Sequence, residues 1–166
     1  MYPLSQGQQP ALDEFLKKHL KKGYICWSKF PYALPFFFIK KKFGGLERPT
    51  QDYHQLNAIT ICNTYLLPPI KELINWLLNK EWFTKFDIQW EYNSICIKEG
   101  NKWKAAFKTN RELFKPTVMF FGLTNSPATL QTIMDELFKE ELATGNVVIY
   151  MDDILIAIAG TLDAYK

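Results

Sequence analysis

The stretch V-V-I-Y-M-D-D-I-L-I-A-I-A, Val147 to Ala159, decides how the rest of the chain is read. Two runs of apolar β-formers, Val147–Tyr150 and Ile154–Ala159, flank Met151-Asp152-Asp153, the pattern of a hairpin with two adjacent acids at its turn. A hairpin this apolar is expected to be buried, and a buried carboxylate is costly unless something pairs with its charge. Adjacent carboxylates also repel, and a divalent cation relieves that repulsion. Turns recruit Asp for ordinary reasons as well, so a solvated Asp-Asp turn is the competing explanation.

A second element weighs against that explanation. Trp82-Phe83-Thr84-Lys85-Phe86-Asp87-Ile88 reads as a strand ending near Asp87. If it neighbours the hairpin in one sheet, carboxylates from two elements converge. Convergent carboxylates bind Mg²⁺ through one or two oxygens each and leave positions open for phosphate. Two such ions, roughly 3.5–4 Å apart, clamp the attacking and leaving oxygens of an in-line phosphoryl transfer.

Around these acids the chain reads as alternating helices and strands. Ala11–Lys22 has an amphipathic helical period, with Asp13 and Glu14 in its first turn and Gly23 as its stop. Pro35–Lys42 and Arg48–Tyr53 form a hairpin about Phe43-Gly44-Gly45. A helix starts at Pro69 in its first turn and runs through Leu73, Ile74, Leu77 and Leu78. Trp103–Thr109 and Phe114–Phe121 pair around Asn110-Arg111. Ser126-Pro127 starts a helix whose stripe of Leu130, Met134, Leu137, Phe138 and Leu142 runs to Gly145.

The 166 residues suffice for one domain, of one lobe or two, with a real core. Net charge is +3, yet residues 1–50 hold nine Lys/Arg against three Asp/Glu, and the remainder eleven against fourteen. A basic lobe beside an acidic one suits a protein that grips phosphates with one part and metal with the other. Cys26, Cys62 and Cys96 are odd in number and contain no C-x-x-C pair, which argues against a disulfide framework or a zinc site. No signal peptide is legible, and Phe30–Ile39, the longest apolar stretch, is too short to span a bilayer. No membrane is expected. His19 and His54 read as a helix-face and a loop residue, and no nucleophile–histidine pair is needed.

Tyr150-Met151-Asp152-Asp153 resembles the YxDD box of reverse transcriptases, and its surroundings are similar to the gypsy class of long-terminal-repeat retrotransposons. The likeness is carried in family order by YPLS (2–5), ALDEFLKKHLKKG (11–23), PFFFIKKK (35–42), RPTQDY (48–53), LNAIT (56–60), WFTKFD (82–87), KWKAAFKTNR (102–111) and FGLTNSPATLQT (121–132). The resemblance implies an α+β polymerase core: a palm of antiparallel sheet backed by the helices near Pro69–Leu78 and Pro127–Leu142, with fingers attached. Fingers would comprise about 1–63 and 95–125, the palm about 64–94 and 126–166.

The same resemblance implies roles. Asp87 and Asp152 would bind two Mg²⁺ ions, with Mn²⁺ as a substitute, Asp153 would support them, and the Ile88 carbonyl would add an oxygen. Lys41 and Arg48 would grip the triphosphate of a deoxynucleotide. Tyr92 would exclude a ribose 2′-hydroxyl, and Phe121 would flank the sugar. Gly122, Ser126, Pro127, Tyr150 and Met151 would lie toward the RNA or DNA template-primer. The implied function is RNA-directed DNA polymerase, in a soluble intracellular protein of the cytoplasm, a virus-like particle or the nucleus.

Departures support an alternative, an impaired remnant that binds nucleic acid weakly. Glu91 stands where the family usually has Gly, beside the gate tyrosine. His54 and Cys96 replace common arginines, Cys26-Trp27 replaces Arg-Pro, and Ala157-Ile158-Ala159 replaces a Phe-Ser-Lys type of continuation. The remaining palm, the thumb, the connection and the RNase H domain of a parent polyprotein are expected to be missing.

Overall fold

The computed structural model describes residues 2–39 and 48–160. In chain order the elements are α1 (Gln8–Lys21), β1 (Ile25–Trp27), β2 (Leu34–Ile39), β3 (Arg48–Gln51), α2 (His54–Ile59), α3 (Ile70–Leu77), β4 (Trp82–Asp87), β5 (Phe107–Lys108), β6 (Leu113–Pro116), α4 (Ser126–Leu137), α5 (Lys139–Ala143), β7 (Val147–Tyr150) and β8 (Asp153–Ile158). Short 3₁₀ turns occupy Glu91–Ser94 and Lys102–Ala105. Two compact units result, Met1–Ile61 with Tyr92–Ser126, and Cys62–Glu91 with Pro127–Lys166.

In the first unit the sheet runs β1-β6-β5-β2-β3. Strand alternation buries Leu34 and Phe36 on one face of β2. They join Leu12, Phe15, Phe107 and Phe114 in the core, where Phe36 stacks on Phe107 at 5.8 Å. Pairing is antiparallel except where β2 meets β5 in parallel. α1 begins at Gln8 rather than Ala11, led into by a turn in which the Gln8 N–H donates to the Ser5 carbonyl at 3.1 Å and the Gln8 side chain accepts the Ser5 N–H at 2.9 Å. Asp13 and Glu14 therefore fall in its second turn. Gly23 (φ 70°) ends it as expected, letting the Tyr24 N–H reach the His19 carbonyl at 2.9 Å. His19 lies on the helix as expected, on its buried face, and its Nδ1–H donates to the Phe15 carbonyl at 2.8 Å. His54 opens α2 instead of lying in a loop. Residues 102–105 form a 3₁₀ turn, so the hairpin about Asn110-Arg111 is shorter than Trp103–Phe121 suggests. The Phe43-Gly44-Gly45 turn lies outside the described residues.

The second unit holds the antiparallel sheet β4-β8-β7. Directly opposed residues share a face, so Lys85, Asp87, Asp153, Leu155 and Tyr150 lie on one side and Thr84, Phe86, Ile149, Ile154 and Ile156 on the other. Two helical expectations need correction. Pro69 is the N-cap of α3, with extended backbone, and the stripe of Ile70 (64% exposed), Ile74 (55%) and Leu78 faces outward. The half-buried side carries Leu73, Trp76 and Leu77, and the Trp76 indole N–H anchors it on the Gly145 carbonyl at 2.9 Å. The helix after Ser126 breaks at Phe138 (φ −106°, ψ 27°), and Leu137, the last residue before the break, is 68% exposed instead of joining the buried stripe. No helix among the described residues is long and apolar enough to cross a membrane.

Candidate active site

β7 and β8 are joined by the two-residue turn Met151-Asp152, closed by the register pair Tyr150–Asp153. Met151 takes φ 56°, the hand that matches such a turn to the twist of its strands. β4 pairs along the other edge of β8, and its last residue, Asp87, sits opposite Asp153. The register partner of Asp87 is thus Asp153 rather than Asp152. Asp152 is tied to the same end of β4 by its carbonyl, which accepts the Ile88 N–H at 2.9 Å. Three carboxylates and the Ile88 peptide therefore gather at one end of the sheet.

The acids are less buried than the apolar run suggests. Asp87 is exposed, and Asp152 and Asp153 are half-buried, because β4 is an edge strand with Phe83 and Phe86 open to solvent. Desolvation is therefore not what makes the cluster unusual; like charge is. Part of that charge is met by Lys85, whose ammonium reaches Asp153 Oδ2 at 2.9 Å across the diagonal of the sheet. That hydrogen bond, with the charges of Asp153, Asp87 and Asp152, holds the Lys85 ammonium above the ordinary lysine range.

The one strongly buried acid beside them is Glu91, 6% exposed. Burial, together with the charges of Asp152 and Asp87, pushes its carboxyl above the usual range, against a lowering bond from its own backbone N–H. It follows Trp90, whose φ of 61° is rare for a bulky residue and marks how sharply the chain turns after β4.

Among the described residues no group of three or more His, Cys, Asp or Glu forms a ready metal cage. The donors nonetheless suit Mg²⁺: all are hard oxygens, and that ion is commonly held by one or two carboxylates with water and substrate phosphate completing its shell. The ammonium of Lys85 on Asp153 is itself a cation drawn to this set.

In the first unit, Tyr92 and Phe121 meet edge to face with ring centroids 4.9 Å apart. Gly122 follows with φ 94°, and a Cβ there would stand 3.4 Å from the Tyr53 ring. The loop is clamped by Asn57, whose Nδ2 donates to the Gly122 carbonyl at 2.7 Å and whose Oδ1 accepts the Thr124 N–H at 3.0 Å. Ser126 is buried with its hydroxyl on Met119 Sδ, and Pro127 is the second residue of α4. Arg48 opens β3 opposite Ile39 and is exposed. Lys41 lies outside the described residues.

Sequence reasoning passed over three of these residues. Lys85 was read only as part of a strand. Asn57 was one letter of LNAIT, with no helix α2 to present it. Gln131, fully buried beside Leu130 and Met134, did carry a signal: a polar residue on the apolar side of a helix.

Two mixed α+β units, one built on an antiparallel sheet with acids at the end of its hairpin, are the fold of a polymerase palm with fingers. Residues 39–164 match the model of the reverse transcriptase (RNA-dependent DNA polymerase) family, and the chain belongs to that family. Transposon Tf2-3 polyprotein of Schizosaccharomyces pombe is 37% identical over 155 residues, covering 93% of this chain and 12% of that polyprotein; Tf2-7 is 36% identical over the same span. The chain thus spans about an eighth of these relatives. The foamy viral protease-reverse transcriptase in complex with RNA/DNA hybrid superposes with a TM-score of 0.85 at 19% identity, over 98% of this chain and 21% of that one. A form in complex with double-stranded DNA gives 0.86 at 19%, over 99% and 28%. These two likenesses are of fold.

Proposed function

We propose that this chain is the catalytic core of an RNA-directed DNA polymerase of gypsy-class retrotransposon type, extending a primer with deoxynucleotides on an RNA or DNA template. The observation that carries the reading is the register pair Asp87–Asp153, with Asp152 in the adjoining turn. The first unit is read as fingers and the second as palm. Asp87, Asp152, Asp153 and the Ile88 carbonyl would hold Mg²⁺, which when bound supplies neutralisation of phosphate charge. Tyr92, 8% exposed beside the open ring of Phe121, is the residue that would bar a 2′-hydroxyl. Arg48 and Lys41 hold the triphosphate, and Gly122, Pro127, Tyr150 and Met151 face template and primer, while buried Ser126 serves there only by fixing the start of α4. The polyproteins it resembles and the nucleic acids bound by its structural neighbours support this choice of substrates.

A second reading, an impaired remnant, is favoured by buried Glu91. The test is primer extension with Mg²⁺ on a primed RNA template, using this chain fused to the segment that follows the matched region in a Tf2 polyprotein. Extension that disappears in Asp152→Asn supports the polymerase. A folded fusion that binds template-primer yet extends nothing supports the remnant.

A further inference from the structure

We infer that Gln131 is a positioning residue that fixes the turn carrying Asp152 by standing in for the missing neighbour of an edge strand. This deepens the proposed polymerase reading and rests on it for the meaning of Asp152.

β7 is the outer strand of its sheet. Because Tyr150–Asp153 closes a two-residue turn, the neighbouring pair Ile149–Ile154 is of the kind whose backbone groups point away from the partner strand. The Ile149 carbonyl and the Met151 N–H thus need a partner on the open edge. Gln131 supplies both: its Nε2 donates to Ile149 O at 3.0 Å, and its Oε1 accepts the Met151 N–H at 2.8 Å. A carbonyl at one position and an N–H two residues on are what a parallel neighbour would engage. One side-chain amide does so here, opposite Tyr150.

The amide has only one workable sense. Its Nε2 also donates to Asp135 Oδ1 at 2.8 Å, and Asp135 Oδ2 accepts the Tyr65 hydroxyl at 2.5 Å. A flipped amide would set oxygen against carboxylate and carbonyl, and N–H against N–H. Gln131 is 0% exposed, so no water replaces a lost partner cheaply. The held residue is Met151, at φ 56°, immediately before Asp152. Tyr65, Asp135 and Gln131 thus form a chain of hydrogen bonds ending on the backbone of the turn.

The test uses the full chain and two readouts. Amide exchange by NMR should show the Met151 N–H opening about tenfold faster or more in Gln131→Met, with the β4–β8 amides unchanged. An unchanged Met151 rate in the folded variant overturns the inference. If Gln131→Met does not fold, Gln131→Asn decides, because it keeps an amide at the site but is one methylene too short to reach both the Ile149 carbonyl and the Met151 N–H. Faster exchange at Met151 supports the clamp, and none refutes it.

Mn²⁺ titration followed by electron paramagnetic resonance is the second readout. Binding should weaken about threefold or more in Gln131→Met, but not in Ala157→Gly, which loosens β8 away from the turn. Equal weakening in both variants reduces Gln131 to a stability residue and overturns the inference. Absence of Mn²⁺ binding in the parent chain sinks the metal reading instead, and exchange alone then judges the clamp.

Discussion

On the proposed reading, Glu91 is the residue that decides how well triphosphate is received. Its carboxyl is the most buried of the acids around Asp87 and Asp152, and their charges already disfavour its ionisation. Triphosphate brought to the same carboxylates adds several negative charges, and an ionised Glu91 opposes it by on the order of 1 kcal/mol or more in a partly dry site. Glu91→Gly should therefore lower the apparent KM for deoxynucleotide several-fold in the primer-extending fusion. The paired variant carrying Asp152→Asn should stay inactive, since nothing at position 91 restores a ligand oxygen. An unchanged KM in an active fusion would show that the side chain points away from the triphosphate. The departure itself was legible in the sequence as a Glu before Tyr92. Its burial was not, because that depends on a turn through Trp90 at φ 61°, a conformation no local pattern announces for tryptophan.

Periodic patterns reported the longer helices and the strands of the second sheet, because alternation and apolar runs are local, but not β1 or the short extent of β5 and β6. β4 and β7 fall within one residue of the expected spans, and the hairpin turn is at Met151-Asp152, with Asp153 already the first residue of β8 rather than part of the turn. What α3 packs on was not legible: its sequence defines an apolar stripe but not the neighbour, and of that stripe Leu73 and Leu77 are half-buried while Ile74 and Leu78 face outward. Short elements also escaped, α2 and the 3₁₀ turn at 102–105 among them, since one or two turns carry too few periods to be seen. α1 offers a test of its own packing. His19 lies against the Phe15 ring at 4.1 Å and the Phe120 ring at 5.7 Å, and burial holds its pKa below the ordinary 6.5. Lys18 and Lys22 push the same way, against the bond to Phe15. A histidine depressed in the folded state is kept neutral there, while the unfolded chain takes up the proton first. Its stabilising effect is complete above pH 6.5 and is lost as pH falls from there through the lower folded value. Thermal melts should show a decline in Tm between pH 7 and pH 5 that His19→Phe flattens. A decline of equal depth in both proteins would assign it to other groups.

At the scale of the molecule, charge is divided along the sequence more sharply than the net +3 implies. Nine Lys/Arg against three Asp/Glu fall in residues 1–50, and eleven against fourteen in the rest. Exposed Lys17, Lys18 and Lys21 on α1 and Lys22 at its C-cap belong to the basic segment, as do Lys40, Lys41 and Lys42. Cations that meet phosphates release condensed counterions, so binding through this segment should fall steeply with salt and carry no sequence preference. Replacing Lys40, Lys41 and Lys42 together with Ala should weaken binding to every template alike. It should also shrink the slope of log K against log salt by about two to three, one phosphate contact contributing a little under one. Fluorescence anisotropy with two unrelated primed templates, at several salt concentrations, separates the cases. A loss confined to one template would point to base contacts, and an unchanged slope would place the phosphate contacts on other cations of the chain.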